Sequence, residues 1–188
     1  EIPEGVTAIP KHAFRNSKVE EVTLPSTLVT VGNYAFESSI LKNIALPEGL
    51  TTVGTYAFAY SKSLPALVIP DSVTSLAEYA LRECTGLNKV SIGSGLTELN
   101  RYTFYGCTGL TEVNLSEGLK TIYSYTFENC TALESIHIPD SVTELGARAF
   151  YNCTSLSEAN FPMSWTTVLN FYNNGTSYYD GHGDYQSP

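Results

Sequence analysis

Residues 132–156 read ALESIHIPDSVTELGARAFYNCTSL, and the phrase they carry returns along the chain at intervals of 22 or 23 residues. The column at Phe150 holds Phe14, Phe36, Phe58, Leu81, Phe104 and Phe127 in the earlier copies. A period in the twenties marks a supersecondary unit that cannot bury its own apolar face and therefore stacks on copies of itself. The chain is expected to be a solenoid of about seven coils around one continuous core. At a strand spacing of ~4.8 Å, seven coils make a rod about 35 Å long.

Within the quoted unit, Ile136 and Ile138 lie two apart and share one face of a short strand that Leu133 precedes. Pro139 ends that strand, and its column reads Pro3, Pro25, Pro47, Pro70, Gly93, Ser116, Pro139 and Pro162, a corner composition. Val142 and Leu145 then point inward from a second edge, expected to be a short strand or bridge. Next, Cys153 follows Phe150 by three residues, the spacing of a single α or 3₁₀ turn. The residue before Phe is small at Ala13, Ala35, Ala57, Ala80 and Ala149, with Thr103 and Thr126 the exceptions, so coils approach closely there. The repeats are expected at 2–23, 24–45, 46–68, 69–91, 92–114, 115–137 and 138–160, within a solenoid of residues 1–160. Pro65, just before the third strand, predicts an edge position or an irregular coil.

Charged residues make up only 15% of the chain, and 19 acidic against 10 basic side chains give a formal charge of −9. That balance argues against nucleic acid, whose phosphates would be repelled, and against a polybasic membrane-surface role. No run of about 18 apolar residues appears, so no membrane span is expected. The sequence begins inside a repeat without the charged and apolar regions of a signal peptide. It is expected to be a mature product or an excised piece.

Cys84, Cys107, Cys130 and Cys153 stand 23 residues apart in one column, where the first three copies place Ser17, Ser39 and Ser61. A position that accepts Cys or Ser is expected to be a small buried slot. Zinc sites want pairs two to four residues apart, which are missing, and parallel Cβ vectors on stacked coils disfavour disulfides. No metal or cofactor is called for.

The unit L-x-x-V-x-I-P-x-x-V-T-x-L-G-x-x-A-F-x-x-C, repeated over residues 2 to 160, resembles the BspA-like (Treponema pallidum type) leucine-rich repeats. The resemblance implies an α/β leucine-rich-repeat solenoid with a parallel, strand-lined face. It also implies secreted or surface proteins of bacteria and some protists, several linked to adhesion and host-protein binding. Proline stands where plant and receptor-type repeats carry an asparagine ladder. The family has no catalytic motif, so none is carried over.

Side chains pointing off the strands form the first candidate binding surface. One outward column reads Glu21, Asn43, Ala66, Lys89, Glu112, Ser135 and Glu158, and the other Thr23, Ala45, Val68, Ser91, Asn114, His137 and Asn160. This strip is small to polar and mildly acidic, without the Trp and Arg anchors of an energetic hot spot. A solvated sheet face is the competing reading. The second candidate is aromatic: Tyr34, Tyr56, Tyr79, Tyr102 and Tyr125 stand two residues before the Phe column. With Phe inward, such a ladder lies near the surface and either binds protein or glycan or packs rung on rung with wet hydroxyls.

His12, His137 and His182 fall in unrelated columns, so no triad or dyad is suggested. The GSGLTE corner at Gly93 lacks a phosphate-loop continuation. Asp180, His182 and Asp184 have metal-binding composition in a glycine-rich end. Sequons at Asn114, Asn129, Asn152 and Asn174 are weak signals, three of them by-products of the repeat. From Phe161 the pattern dissolves, and Trp165, Phe171 and Tyr172 suggest a cap over 161–176 within a degenerate end of 161–188. The expected function is non-catalytic binding of a protein or glycan by an extracellular or cell-surface protein. The alternatives are a structural spacer and an accessory region of a larger enzyme.

Overall fold

A computed structural model describes residues 1–162 and the backbone of two further short strands, Tyr178–Tyr179 and Tyr185–Gln186. The cap residues Trp165, Phe171 and Tyr172, the group Asp180, His182 and Asp184, and the sequon at Asn174 lie outside the described residues.

Strands of two to four residues alternate between two walls of each coil. In chain order the first seven are β1 (Ala8–Ile9), β2 (Glu21–Val22), β3 (Thr30–Val31), β4 (Asn43–Ile44), β5 (Thr52–Val53), β6 (Ala66–Ile69) and β7 (Ser75–Leu76). They continue as β8 (Lys89–Ile92), β9 (Glu98–Leu99), β10 (Glu112–Asn114), β11 (Thr121–Ile122), β12 (Ser135–His137), β13 (Glu144–Leu145) and β14 (Glu158–Asn160). The odd wall pairs β1, β3, β5 and β7 in parallel, then β9, β11 and β13; the even wall pairs β2 with β4, β6 with β8 and β10, and β12 with β14. Register advances one repeat per rung: Thr30 faces Thr52, and Lys89 faces Glu112. Alternation decides which side is inside: Leu67 and Ile69 are buried, while Ala66 and Val68 are exposed. The second edge expected after the corner is therefore a real strand wall, with Leu99 and Ile122 inward.

The even wall is interrupted between β4 and β6, and again between β10 and β12. On the even wall the residue before β4, β8, β10 and β14 gives its amide to the preceding coil, as Lys42 does to Glu20 O and Asn88 to Pro65 O, both at 2.8 Å. Pro65 holds that place in the third coil and has no N–H to give. The irregular coil expected at Pro65 is this missing rung. The odd wall breaks elsewhere, between β7 and β9, and there Asn100 Nδ2 donates to Leu76 O at 2.8 Å.

The third wall corrects one expectation: the segment around A-F-x-x-C is not a helical turn. Tyr34, Tyr56, Tyr79, Tyr102 and Tyr125 all take φ between 57° and 65°, and Ser38, Asn129 and Asn152 in the column two after Phe take 55° to 63°. A right-handed helix excludes that backbone, which costs a non-glycine residue about 1–2 kcal/mol. The amides then alternate. Tyr34 N, Phe36 N and Ser38 N donate to Thr55 O, Ala57 O and Ala59 O of the following coil at 2.9, 2.7 and 2.8 Å. Ala35 N, Glu37 N and Ser39 N between them close local turns onto Gly32 O, Tyr34 O and Phe36 O. In this coil every amide from Tyr34 to Ser39 is satisfied without a helix.

The Phe column fills the interior as two stacks. Phe14, Phe36 and Phe58 stack at 5.1–5.3 Å, as do Phe104, Phe127 and Phe150 at 5.2–5.3 Å, with buried Leu81 between the two sets. Among the described residues no helix is long and apolar enough to cross a membrane.

Two corners are pinned by carboxylates. Glu4 accepts hydrogen bonds from Ser26 N and Oγ, both at 3.0 Å, and Asp71 accepts from Ser94 N at 2.7 Å. These backbone donors, first of all, hold both carboxyls below their ordinary values of 4.5 and 3.8. A depressed folded pKa means that the contribution is complete above the unfolded value and is lost as pH falls through the folded one. Urea midpoints should therefore decline on acidification below about pH 4.5, and less steeply in Asp71→Asn. Identical acid slopes in the two proteins would remove Asp71 from that account.

Candidate binding surfaces

The strand face carries the residues expected there on one exposed strip, Ser91 being half-buried. Its middle is internally satisfied. Lys89 Nζ pairs with Glu112 Oε1 at 2.6 Å, and Asn114 Nδ2 donates to Glu112 at 3.0 Å and to Ser91 Oγ at 3.3 Å. Lys89 first, then Asn114, holds the Glu112 carboxyl below its ordinary value. Ser135, His137, Glu158 and Asn160 on the last two coils are exposed, and among the described residues their side chains make no hydrogen bond or ion pair. Glu21, Thr23 and Asn43 form a similar open group on the first two coils, separated from the middle by Ala45, Ala66 and Val68, the last 65% exposed. The structure thus divides the strip into two open ends and a neutralised centre.

The tyrosine column is a continuous stack. Successive centroids from Tyr34 to Tyr125 are 5.2, 4.7, 4.9 and 4.8 Å apart, with rings within 2–5° of parallel. His12 extends it at 4.9 Å from Tyr34, so this histidine has a column after all. All five rings are half-buried. Burial first, then the neighbouring phenols, pushes the Tyr79 and Tyr102 hydroxyls above the ordinary tyrosine value. Because the faces are stacked on each other, the edges and hydroxyls are what the column offers to solvent.

Beside the column lies a cluster the sequence reading did not single out. The Arg82 guanidinium carbon sits 4.9 Å from the Tyr105 ring centroid, 5.8 Å from Tyr79 and 6.0 Å from Tyr60. Tyr105 also meets Tyr102 edge-on at 5.8 Å. Among the described residues Arg82 forms no ion pair with a carboxylate, and its buried Nε has no hydrogen-bond partner. Burial opposes its charge, and the phenol of Tyr60 with a side-chain hydrogen bond to Tyr56 outweighs it, so the guanidinium stays cationic. Tyrosine and arginine together are the composition of interface hot spots. The signal was the surplus of tyrosines: of 13 in the chain, five make the ladder.

The cysteine slot is buried, as expected, and it is also a hydrogen-bonding position. Sγ of Cys84, Cys107, Cys130 and Cys153 donates to the carbonyls of Phe58, Leu81, Phe104 and Phe127 at 3.0–3.2 Å. Ser61 Oγ does the same to Phe36 O at 2.8 Å. Burial raises the Cys84 and Cys153 thiols to about 12 and the other two well above 9. Protonated, buried thiols are poor nucleophiles. Among the described residues no three His, Cys, Asp or Glu side chains converge as a metal site would require.

The family model for the BspA type leucine rich repeat region matches in six copies, over residues 1–92 and 51–177. Among solved structures, the chain is similar to a leucine rich cell surface protein of Faecalibacterium prausnitzii at 27% identity and a TM-score of 0.52. That alignment covers 87% of this chain and 59% of the other. A leucine-rich repeat protein of Bacteroides ovatus is 25% identical over 87% of this chain and 66% of its own, with a TM-score of 0.44. A T. pallidum leucine rich repeat protein is 23% identical over 53% and 71%, with a TM-score of 0.42. The chain thus spans about three fifths to two thirds of the length of the first two. No curated protein matches it.

Proposed function

Because the chain belongs to the BspA-type leucine-rich repeat family, we propose that it is a non-catalytic recognition module of a secreted or cell-surface protein, with a protein or glycan as its partner. The observation that carries this reading is the Arg82 cluster. It sets a cation without a carboxylate partner among Tyr60, Tyr79 and Tyr105, on a wall whose backbone is fixed by bonds between coils. A rigid amphipathic surface of this kind gains contact area at little cost in side-chain entropy. The open groups at Ser135, His137, Glu158 and Asn160, and at Glu21, Thr23 and Asn43, extend contact on the strand face. The cell-surface description of the Faecalibacterium relative supports the location.

The test is a screen of the purified chain against immobilised matrix proteins and glycans, followed by substitutions in the hits. Arg82→Ala and Tyr105→Ala are each expected to weaken binding by about tenfold or more, as hot-spot truncations do. Asn114→Ala and His137→Ala should change it only a few-fold. Binding that survives Arg82→Ala and collapses on His137→Ala would move the site to the strand face. A well-folded chain that captures nothing would favour the spacer reading.

A further inference from the structure

We propose that the tyrosine column is an oxidative cross-linking site, at which one-electron oxidation joins neighbouring phenols through their ortho carbons and staples one coil to the next. This goes beyond the recognition reading and does not depend on it. The geometry supplies three conditions. Successive tyrosines occupy the same repeat position with rings within 2–5° of parallel, so equivalent ortho carbons face each other at close to the 4.7–5.2 Å centroid spacing. The backbone beneath is held: each of the five has a left-handed φ, and the amide two residues after each is tied to the next coil. A phenoxyl radical therefore forms beside an aligned partner, from which coupling needs a further approach of about 1–2 Å to reach attack distance. Third, the rings are half-buried rather than sealed, so their edges stay open to the oxidant.

The chemistry balances with hydrogen peroxide and a peroxidase as the oxidant. Each of two phenols gives up one electron and one proton. The two radicals form one carbon–carbon bond, and the coupled rings re-aromatise by moving a proton from carbon to oxygen. The chain loses two hydrogens, and one peroxide becomes two waters. Closing a loop of one repeat restricts the unfolded chain, so the stapled protein should melt at a higher temperature.

Position within the column is not equivalent. Lys11 Nζ and the Arg15 guanidinium carbon lie 5.8 and 5.7 Å from the Tyr34 ring, and cations there oppose loss of an electron. Tyr34 also has the widest spacing to its neighbour, 5.2 Å to Tyr56. Tyr56 and Tyr79 are closest, at 4.7 Å, but the Arg82 guanidinium carbon lies 5.8 Å from the Tyr79 ring and opposes oxidation there in the same way; Tyr102 and Tyr125, at 4.8 Å and 2°, are therefore placed best. Tyr105 meets Tyr102 at 62° and serves as an internal control of the same chemistry in the wrong geometry.

The experiment treats the full chain at high dilution with peroxidase and hydrogen peroxide and maps cross-linked peptides by mass spectrometry. Expected are dityrosine fluorescence at monomer mobility and links within one chain, most abundant between Tyr102 and Tyr125 and least between Tyr34 and Tyr56. Tyr102→Phe keeps a ring in the stack, removes the phenol, and should abolish both links made by Tyr102. Links formed mainly between chains, or spread evenly over Tyr60, Tyr105, Tyr123 and Tyr151, would overturn the proposal. The wild-type map decides this by itself if the variant folds poorly.

Discussion

Replacing Phe104 with alanine is expected to lower the unfolding free energy by about 3–5 kcal/mol. The ring is fully buried and stacks on Phe127 at 5.2 Å, with Leu81 on the other coil-facing side. The surroundings cannot collapse into the space, because Phe104 N is tied to Thr126 O at 2.9 Å and Cys130 Sγ to Phe104 O at 3.2 Å. The lost contacts therefore remain as a cavity, and the loss is a large share of the 5–15 kcal/mol typical of folded domains. Phe14→Ala is the control: its ring is half-buried and stacks on Phe36 alone, so about 1–2 kcal/mol is expected. Equal losses at the two sites in urea denaturation would contradict a core that is tightest in its middle coils.

The second large effect is alkaline. Four buried thiols keep their protons in the fold, Cys84 and Cys153 up to about 12, while an unfolded chain releases them near 9. A raised folded pKa in a neutral acid gives stability that is complete below the unfolded value and disappears as pH climbs through the folded one. Each thiol then removes about 1.4 kcal/mol per pH unit above 9, so four together remove on the order of 5 kcal/mol per unit. Unfolding between pH 9 and 12 under reducing conditions should be steep. A variant with all four replaced by serine should lose most of that slope, since Ser61 already makes the same bond to a carbonyl in this column. Matching alkaline slopes for the two proteins would show that the thiols do not drive the transition.

The Phe and Cys columns and the two-residue alternation at Ile136 and Ile138 were legible because a solenoid repeats each burial decision seven times, and noise in one copy is corrected by the others. Pro65 was legible for a simpler reason, the absence of an N–H. The left-handed third wall was not, because tyrosine at positive φ is a poor guess for any single residue. The hint lay four residues further on, in a column where Asn16, Ser38, Gly106, Asn129 and Asn152, though not Tyr60 or Glu83, are types that tolerate that region. The Arg82 cluster was missed because it draws on three columns over three successive coils: Tyr79 from the ladder, Tyr60 two after the Phe position, and Arg82 with Tyr105 one after it. Reading columns one at a time cannot assemble a patch that crosses them.

The one-way bonding of the third wall has an electrical consequence. From His12 N to Asn33 O through Asn129 N to Tyr151 O, the amides that cross between coils on this wall all point toward the C-terminal end. Parallel strand walls largely cancel their peptide dipoles, whereas these aligned files add head to tail, as in a helix but with the opposite sense along the chain. The rod is therefore polarised, with its carbonyl pole at the first coil, where Lys11 and Arg15 gather over Tyr34. A neighbouring molecule lying along this wall would meet a field with a direction, on a surface made from one repeated phrase.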